Sequence, residues 1–386
     1  MISFMKTPSS SFLRLSANYT SLYFYLGIMT PFWGMWLRHK GLSPSEIGII
    51  IALPYIMKIL IVPLVSQAAD RRDEYWRPLL VAVVLGTVFA TLYFFGVGFW
   101  QLLLITGAVN LFVPAITPLL ETITVSQVAK HDLNYGRIRS FGSISFVAAA
   151  VVIGFFLKHN PIDYVMGVIY ISMLIMIMTI VILPRGNKQR KVEDTHGAPI
   201  LYLLRNADFV WFLVIVGLLQ MSHGVFYSMG SIYWQENGIS EEIIGLLWAV
   251  AVVAEILLFV FCNNLIRKYP VYLIFAVIGF FGAIRWVVMT FNFSLPILFV
   301  VQLLHALTFG ASHLAAIHYL GSKVSPERAG TAQSLYSSLP LGLGMGIATY
   351  VGGVIYESSG GGAYMAMSLF CACAFILSMI RIIVTK

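Results

Sequence analysis

The chain has 386 residues, of which 59% are hydrophobic, 14% are aromatic and 10% are charged, and its mean hydropathy is +0.87. A soluble domain carries about 25% charged residues, so this composition excludes an ordinary soluble enzyme, a disordered chain and a secreted disulfide scaffold. It predicts an all-α membrane protein, because lipid offers no hydrogen-bond partner to an open sheet or loop.

The formal net charge of +8 does not indicate nucleic-acid binding, because the basic residues lie in short segments between apolar runs. The three cysteines lie in apolar stretches without the spacing of metal ligands. We therefore expect no metal, no cofactor, no nucleic acid and no obligate protein partner. The expected surroundings are the lipid bilayer of the inner (plasma) membrane.

A membrane-spanning helix needs about 20 mainly apolar residues, and twelve such runs follow one another along the chain. The predicted spans are, in chain order, 15–37, 44–68, 78–97, 101–127, 136–157, 162–183, 209–233, 241–265, 271–292, 295–320, 330–356 and 362–383. The longest polar stretch falls almost at the middle. This pattern predicts a six-helix bundle over residues 1–183, a linker over 184–208 and a second six-helix bundle over 209–386.

The distribution of lysine and arginine predicts the orientation. With the N-terminus inside, the cytoplasmic side collects most basic residues, and only Arg38, Lys40 and Lys158 fall on the opposite side. Cytoplasmic loops carry the excess of positive charge. Both termini and the linker are therefore expected in the cytoplasm.

An internal repeat relates the two halves. The segment Gly41–Gly48 at the start of the second span aligns with Gly238–Gly245 at the start of the eighth, and the same alignment sets Lys58 opposite Glu255. Parallel repeats of this kind typically bind substrate near mid-membrane between the halves, which then rock against each other.

Five ionisable residues lie inside the predicted spans, at Lys58, Glu121, Arg139, Glu255 and Arg285. Each would cost roughly 2.5–3.5 kcal/mol at the centre of the bilayer, so we expect them to face the protein interior. Glu121 and Arg139 lie at similar depths in the membrane on consecutive spans, which predicts that they pair.

Depth also predicts a cluster of Glu255, Arg285, His223 and His305 in the second half. A carboxylate, a guanidinium and imidazoles at one depth form a candidate proton-handling site.

Aromatic residues crowd the outer ends of the first and seventh spans. The deeper ones, Trp33 and Tyr227, are candidates for the wall of a cavity that binds a flat substrate. Trp36, Tyr233 and Trp234 are expected in the interfacial aromatic belt.

Two motifs are similar to those of the major facilitator superfamily. The segment Ser66–Arg72 resembles its signature between the second and third spans, although Ser66 replaces a usual glycine and the later Gly-Arg is missing. The resemblance implies a gating loop that contains Asp70 and Arg71.

The segment Gly136–Gly142 is similar to the lactose-permease branch of the superfamily. That resemblance implies that Glu121 and Arg139 bind substrate, and it matches Arg285, His305 and Glu255 to the permease's arginine, histidine and eighth-span glutamate. The permease's proton-carrying glutamate, three residues after the histidine, is Thr308 here, so the proton site cannot simply be transferred.

Three further stretches resemble the 3-phenylpropionate transporter family within that branch: Ile232–Gln235, Gly245–Trp248 and Val301–His305. The resemblance implies a proton-coupled symporter that imports a small aromatic carboxylate, such as 3-phenylpropionate, by alternating access. A proton-coupled sugar or nucleoside symporter on the same scaffold is the alternative, and the retained pair of Glu121 and Arg139 favours it.

The expected ligands are a small organic anion and protons. Lys58, Arg139 and Arg285 are the candidate cations for the anion, because a carboxylate in a poorly hydrated cavity requires a positive partner. Glu255 is the first candidate for the proton carrier, followed by Glu121, His305 and His223. No nucleophile–base arrangement or nucleotide-binding loop indicates an enzyme.

Overall fold

The computed structural model describes residues 10–185, 200–262, 265, 268–291 and 294–384, and within these ranges all regular secondary structure is helical. The charge cluster of the predicted linker, between residues 186 and 199, lies outside the described residues.

The helices of the first half are α1 (Ser10–His39), α2 (Pro44–Arg72), α3 (Trp76–Ala90), α4 (Gly98–Asn110), α5 (Ile116–His131), α6 (Tyr135–Lys158) and α7 (Tyr164–Val181). The short helix α8 (Ile200–Leu204) precedes the second half. Its helices are α9 (Ala207–Met221), α10 (Gly224–Glu236), α11 (Glu241–Phe261), α12 (Val271–Thr290), α13 (Leu295–His305), α14 (Ser312–Lys323), α15 (Pro326–Ser338), α16 (Met345–Ser359) and α17 (Ala363–Val384).

Ten stretches of the described chain are long and apolar enough to span a membrane. One of them, Glu327–Val384, contains two span-length segments, α15–α16 and α17, which separate at Gly360, where φ is +53°. Helix α1 has 30 residues but is not one of these ten apolar stretches. With α1 and the divided stretch, the helices correspond to the twelve predicted spans, and the predicted fold class is confirmed.

Two polar residues of α1 make hydrogen bonds with α7. The Asn18 Nδ2 donates to the Thr179 carbonyl oxygen at 2.8 Å, and the Ser21 and Thr179 hydroxyl oxygens lie 2.8 Å apart. These side chains therefore face a neighbouring helix, as a polar group within a membrane must.

By packing, the chain divides into two compact units, Met1–Trp36 with Met57–Lys191 and Leu37–Ile56 with Val192–Lys386. The close packing of α12 on α17 in the second unit requires a small residue. A Cβ atom on Gly279 would lie 2.8 Å from the Cys371 carbonyl oxygen and from the Phe375 nitrogen. Small residues at such crossings let membrane helices approach closely.

The prediction of an aromatic belt at Trp36 and Trp234 is wrong. Both indoles are buried, with 1% and 0% of their surface exposed, and Trp36 stacks on Trp33 with ring centroids 5.0 Å apart. Tyr233 is also buried and donates to the Thr290 carbonyl oxygen at 3.4 Å. Position along a span gives depth, whereas the face of the helix decides whether a ring meets lipid or protein.

The predicted gating loop is helical at Asp70 and Arg71. Helix α2 continues to Arg72 and ends where Asp73 adopts a left-handed conformation, with φ of 50°. Two arginines in the last turn suit the negative end of the helix dipole. The Tyr75 hydroxyl group donates to Asp70, which ties this turn to the beginning of α3.

A carboxylate clamp, formed by Asp208, Tyr272, Tyr319 and Arg381, joins four helices of the second unit. Asp208 accepts hydrogen bonds from both tyrosine hydroxyl groups at 2.7 Å and from Arg381 Nη2 at 2.8 Å. It thereby connects the beginnings of α9 and α12 with the ends of α14 and α17.

We expect the substitution Asp208→Asn to lower the free energy of unfolding by about 2 kcal/mol, because an amide replaces the acceptor of charge-assisted hydrogen bonds. Thermal unfolding of the purified protein in detergent measures this change. The matched control is Glu74→Gln, which removes the exposed ion pair with Arg77 and should change stability by less than about 1 kcal/mol. Equal stability of the two variants would contradict a structural role for the clamp.

Candidate functional site

A buried arginine is the centre of the candidate site in the second unit. Arg285 on α12 is completely buried, and its Nη1 donates to the Thr308 hydroxyl oxygen at 2.7 Å. Longer contacts of 3.4 Å connect the guanidinium with the His223 and His305 rings and with the Gln302 amide oxygen. All of these partners are uncharged acceptors.

A π-helical turn carries Thr308, the residue that accepts from Arg285, and Phe309, which stacks on His305. The turn covers Ala306–Ala311, directly after His305, and contains Thr308 and Phe309. Such turns often occur at functional sites because they re-aim side chains within a helix. The Thr308 hydroxyl group donates to the Leu304 carbonyl oxygen at 3.1 Å and is therefore oriented to accept from the guanidinium.

The hydrogen-bond pattern assigns the tautomers of both histidines. A guanidinium can only donate, so His223 Nε2 and His305 Nδ1, which face Arg285, carry lone pairs. The proton of His223 then lies on Nδ1, which is 3.1 Å from the Leu219 carbonyl oxygen. The proton of His305 lies on Nε2, which points towards Glu255 Oε2 at 3.9 Å.

Arg285 lacks a counter-ion in the described part of the chain, where no carboxylate oxygen lies within 4.0 Å of its nitrogens. Its Nε is buried and has no hydrogen-bond partner among these residues. A buried, unpaired charge destabilises a protein by several kcal/mol. Binding of an anion beside Arg285 would offset this cost.

Aromatic rings enclose the guanidinium. The Arg285 Cζ lies 4.2 Å from the centroid of the Trp286 ring and 5.0 Å from that of Phe226. Trp248 packs on Phe226 with ring centroids 4.6 Å apart, and the half-buried Tyr227 lies 5.9 Å from the same indole. Flat apolar walls beside a cation suit a ligand with an aromatic ring and a negative charge.

The first unit contains the predicted pair of Glu121 and Arg139, and the predicted pairing is confirmed with Arg139 Nε 4.0 Å from Glu121 Oε1. The Tyr135 hydroxyl group donates to Glu121 Oε2 at 2.8 Å, and the Arg139 Cζ lies 4.1 Å from the centroid of the Tyr23 ring. Both charged side chains are half-buried. Unlike Arg285, this arginine already has a carboxylate partner.

Two other predicted site residues of the first unit lie apart from this pair. The side chain of Lys58 on α2 is exposed and makes no hydrogen bond or ion pair with the residues that the structure describes. Trp33 is buried between Trp36 and Tyr93, with its centroid 4.9 Å from that of the tyrosine. Their assignment to substrate binding stays a prediction.

Sequence reasoning missed several contributors to the site. Gln302 and Trp248 are ordinary residues of apolar helices, and Thr308 was prominent only as the replacement of an expected glutamate. The available signal for Gln302 was its position one turn before His305, because both are polar residues within an apolar span.

Comparison with known proteins identifies the family. The model of the MFS_1-like family matches residues 12–367. The chain belongs to this family. It is a multi-pass inner-membrane transporter of the major facilitator superfamily and not an enzyme.

Two relatives align with this MFS_1-like protein over nearly the whole chain. It is 30% identical to the probable 3-phenylpropionic acid transporter of Escherichia coli over 94% of this chain and 96% of that protein. It is 25% identical to the maltose permease of Geobacillus stearothermophilus, covering 94% of this chain and 92% of the permease.

Among solved structures, the crystal structure of the nucleoside transporter NupG superimposes with a TM-score of 0.83 over 98% of this chain and 100% of that chain. The sequences are 14% identical, so this likeness supports the fold of the MFS_1-like chain and leaves its substrate open.

Proposed function

We propose that the protein is a proton-coupled symporter that imports a small aromatic carboxylate, such as 3-phenylpropionate, by alternating access. The observation that carries the proposal is Arg285, a fully buried guanidinium with uncharged partners and an unpartnered Nε. The substrate carboxylate is the missing anion, and the rings of Phe226, Trp286 and Tyr227 contact its aromatic part. The similarity to the probable 3-phenylpropionic acid transporter of Escherichia coli supports the substrate class.

Glu255 is the proposed proton carrier. It approaches His305 from α11, with 3.9 Å between Glu255 Oε2 and His305 Nε2, and 20% of its side chain is exposed. When Glu255 is protonated, the negative charge beside His305 is removed, and with it the repulsion of a substrate carboxylate at Arg285. Substrate and proton then favour the same conformation, which is the requirement for coupling.

The remaining predicted assignments are part of the same proposal. Lys58 and Arg139 are additional cationic contacts for the anion, Glu121 and Trp33 line the substrate path, and Asp70 and Arg71 take part in gating. His223 accepts from Arg285 and contributes to proton transfer. The termini lie in the cytoplasm, and the bundles are 1–183 and 209–386 with a linker over 184–208.

The second candidate function is proton-coupled transport of a sugar or nucleoside. The pair of Glu121 and Arg139 favours it, because a carboxylate and a guanidinium at 4.0 Å offer both acceptors and donors to hydroxyl groups. The similarity to a maltose permease and to a nucleoside transporter supports this alternative.

Uptake into proteoliposomes separates the two candidates. The vesicles contain the purified chain, and the external buffer is made acidic relative to the interior. Labelled 3-phenylpropionate, maltose or uridine is added outside in parallel assays. We expect accumulation of 3-phenylpropionate, no competition by maltose or uridine, and collapse of accumulation when a protonophore removes the gradient. Accumulation of maltose or uridine without 3-phenylpropionate uptake would establish the second candidate.

A further inference from the structure

The second unit carries an apolar groove of about 370 Å³ that the transport mechanism does not use. It runs between α9 and a π-helical turn, Leu339–Gly344, which joins α15 to α16. Every described residue of its lining is apolar, from Leu204 and Val210 at one end to Met221 at the other.

The length of the groove matches one leaflet of a bilayer. Val210 and Met221 are eleven residues apart on α9, which corresponds to about 16 Å along the helix. The hydrocarbon core of a bilayer is about 30 Å thick. The groove therefore extends from the membrane surface to near the midplane, the depth that one lipid acyl chain occupies.

Two arginines flank the surface end of the groove. The Arg328 Cζ lies 3.7 Å from the centroid of the Tyr202 ring, on α8. Arg205 follows Tyr202 by three residues, and its N–H donates to the Leu201 carbonyl oxygen at 3.0 Å, so the two side chains share a face of the same turn. Two acidic residues lie near these arginines: Glu327 is exposed beside Arg328, and Asp208 is already paired with Arg381.

Helix α8 resembles a segment that lies in the membrane surface. Leu201 and Tyr202 are exposed, and Leu204 is exposed at the mouth of the groove. Tyrosine is enriched where the headgroups meet the hydrocarbon core. Basic pockets at this level, next to apolar surfaces between helices, bind anionic headgroups.

We propose that this groove binds one acyl chain of an anionic phospholipid, with the lipid phosphate between Arg205 and Arg328. The positive charge of Arg205 and Arg328 at the surface end of the groove favours an anionic headgroup over a zwitterionic one. Each arginine near the surface favours binding about fivefold. The proposal concerns a lipid site and is independent of the transported substrate.

Gly217 offers a way to fill the groove without disturbing the helices. A Cβ atom there would meet only the Pro340 Cγ, at 4.0 Å, so the larger side chain of Gly217→Leu extends into the groove. The matched control is Gly167→Leu on α7, where a Cβ atom would meet nothing within 4 Å.

Native mass spectrometry of the full chain in detergent tests the proposal, with added phosphatidylglycerol or phosphatidylethanolamine. We expect wild type and G167L to retain phosphatidylglycerol in preference to phosphatidylethanolamine. The double substitution Arg205→Gln with Arg328→Gln should weaken phosphatidylglycerol binding about 25-fold and weaken phosphatidylethanolamine binding less, because the ammonium group of that lipid already neutralises the charge of its phosphate. G217L should weaken the binding of both lipids.

Equal retention of phosphatidylglycerol by wild type and the arginine double variant would overturn the proposal. A second copy of the chain in place of lipid, seen as a dimer that G217L dissociates, would also overturn it. Size-exclusion chromatography establishes that each variant is folded. If G217L is not folded, the arginine double variant decides the question alone.

Discussion

Replacing Arg285 with glutamine should reduce the rate of 3-phenylpropionate uptake at least about a hundredfold, because a buried carboxylate without its charged partner loses on the order of 3–5 kcal/mol. Arg285→Lys should recover only part of the rate, because an ammonium group cannot donate the two parallel hydrogen bonds that a guanidinium donates to a carboxylate. Initial rates in proteoliposomes measure both effects. The control Arg77→Gln, which removes an exposed side chain paired with Glu74, should transport normally.

The same substitution has an opposite expected effect on the stability of the empty protein. Arg285 is buried among uncharged acceptors, so its removal relieves an uncompensated charge. We expect the empty R285Q variant to unfold at a temperature no lower than wild type. Substrate should raise the unfolding temperature of wild type only. A variant that unfolds earlier yet still responds to 3-phenylpropionate would contradict the assigned role of Arg285.

The substitution Glu255→Gln should abolish accumulation driven by a pH gradient while exchange of labelled for unlabelled substrate continues. Glutamine keeps the size of the side chain and its contact with His305 but cannot bind or release a proton. The substrate can therefore still cross with the transporter, whereas the proton gradient no longer drives net uptake. The measurements are uptake with the outside acidic and counterflow without a gradient.

The control for this experiment is Glu74→Gln, an exposed carboxylate paired with Arg77. It should retain both accumulation and exchange. Full gradient-driven accumulation by E255Q would remove Glu255 from the coupling role. The parallel variant His305→Gln then tests whether the imidazole carries the proton instead.

Composition and apolar run length were sufficient to predict the helices of the fold. The predicted boundaries of most spans lie within a few residues of the observed ones, because charge clusters and Gly or Pro turns mark the ends of membrane helices. The internal breaks were less predictable. The fourth span divides into α4, a 3₁₀ turn over Val113–Ala115 and α5, since Pro114 lacks an N–H group.

Depth arguments predicted which charged residues meet, but not how they are satisfied. Glu121 pairs with Arg139, and Glu255 reaches His305, as their heights in the membrane require. The hydrogen bond from Arg285 to Thr308 depends on the π-helical turn after His305, which has no recognisable sequence pattern. Likewise, the turn of α2 that carries Asp70 could not be separated from a loop by its polar composition alone.

The most direct test of the central claim is a structure of the purified protein determined with 3-phenylpropionate bound. We expect the substrate carboxylate within hydrogen-bond distance of the Arg285 guanidinium, with its ring against Phe226 or Trp286. Density for the ligand only beside Glu121 and Arg139, with Arg285 still bonded only to its uncharged protein partners, would contradict the account.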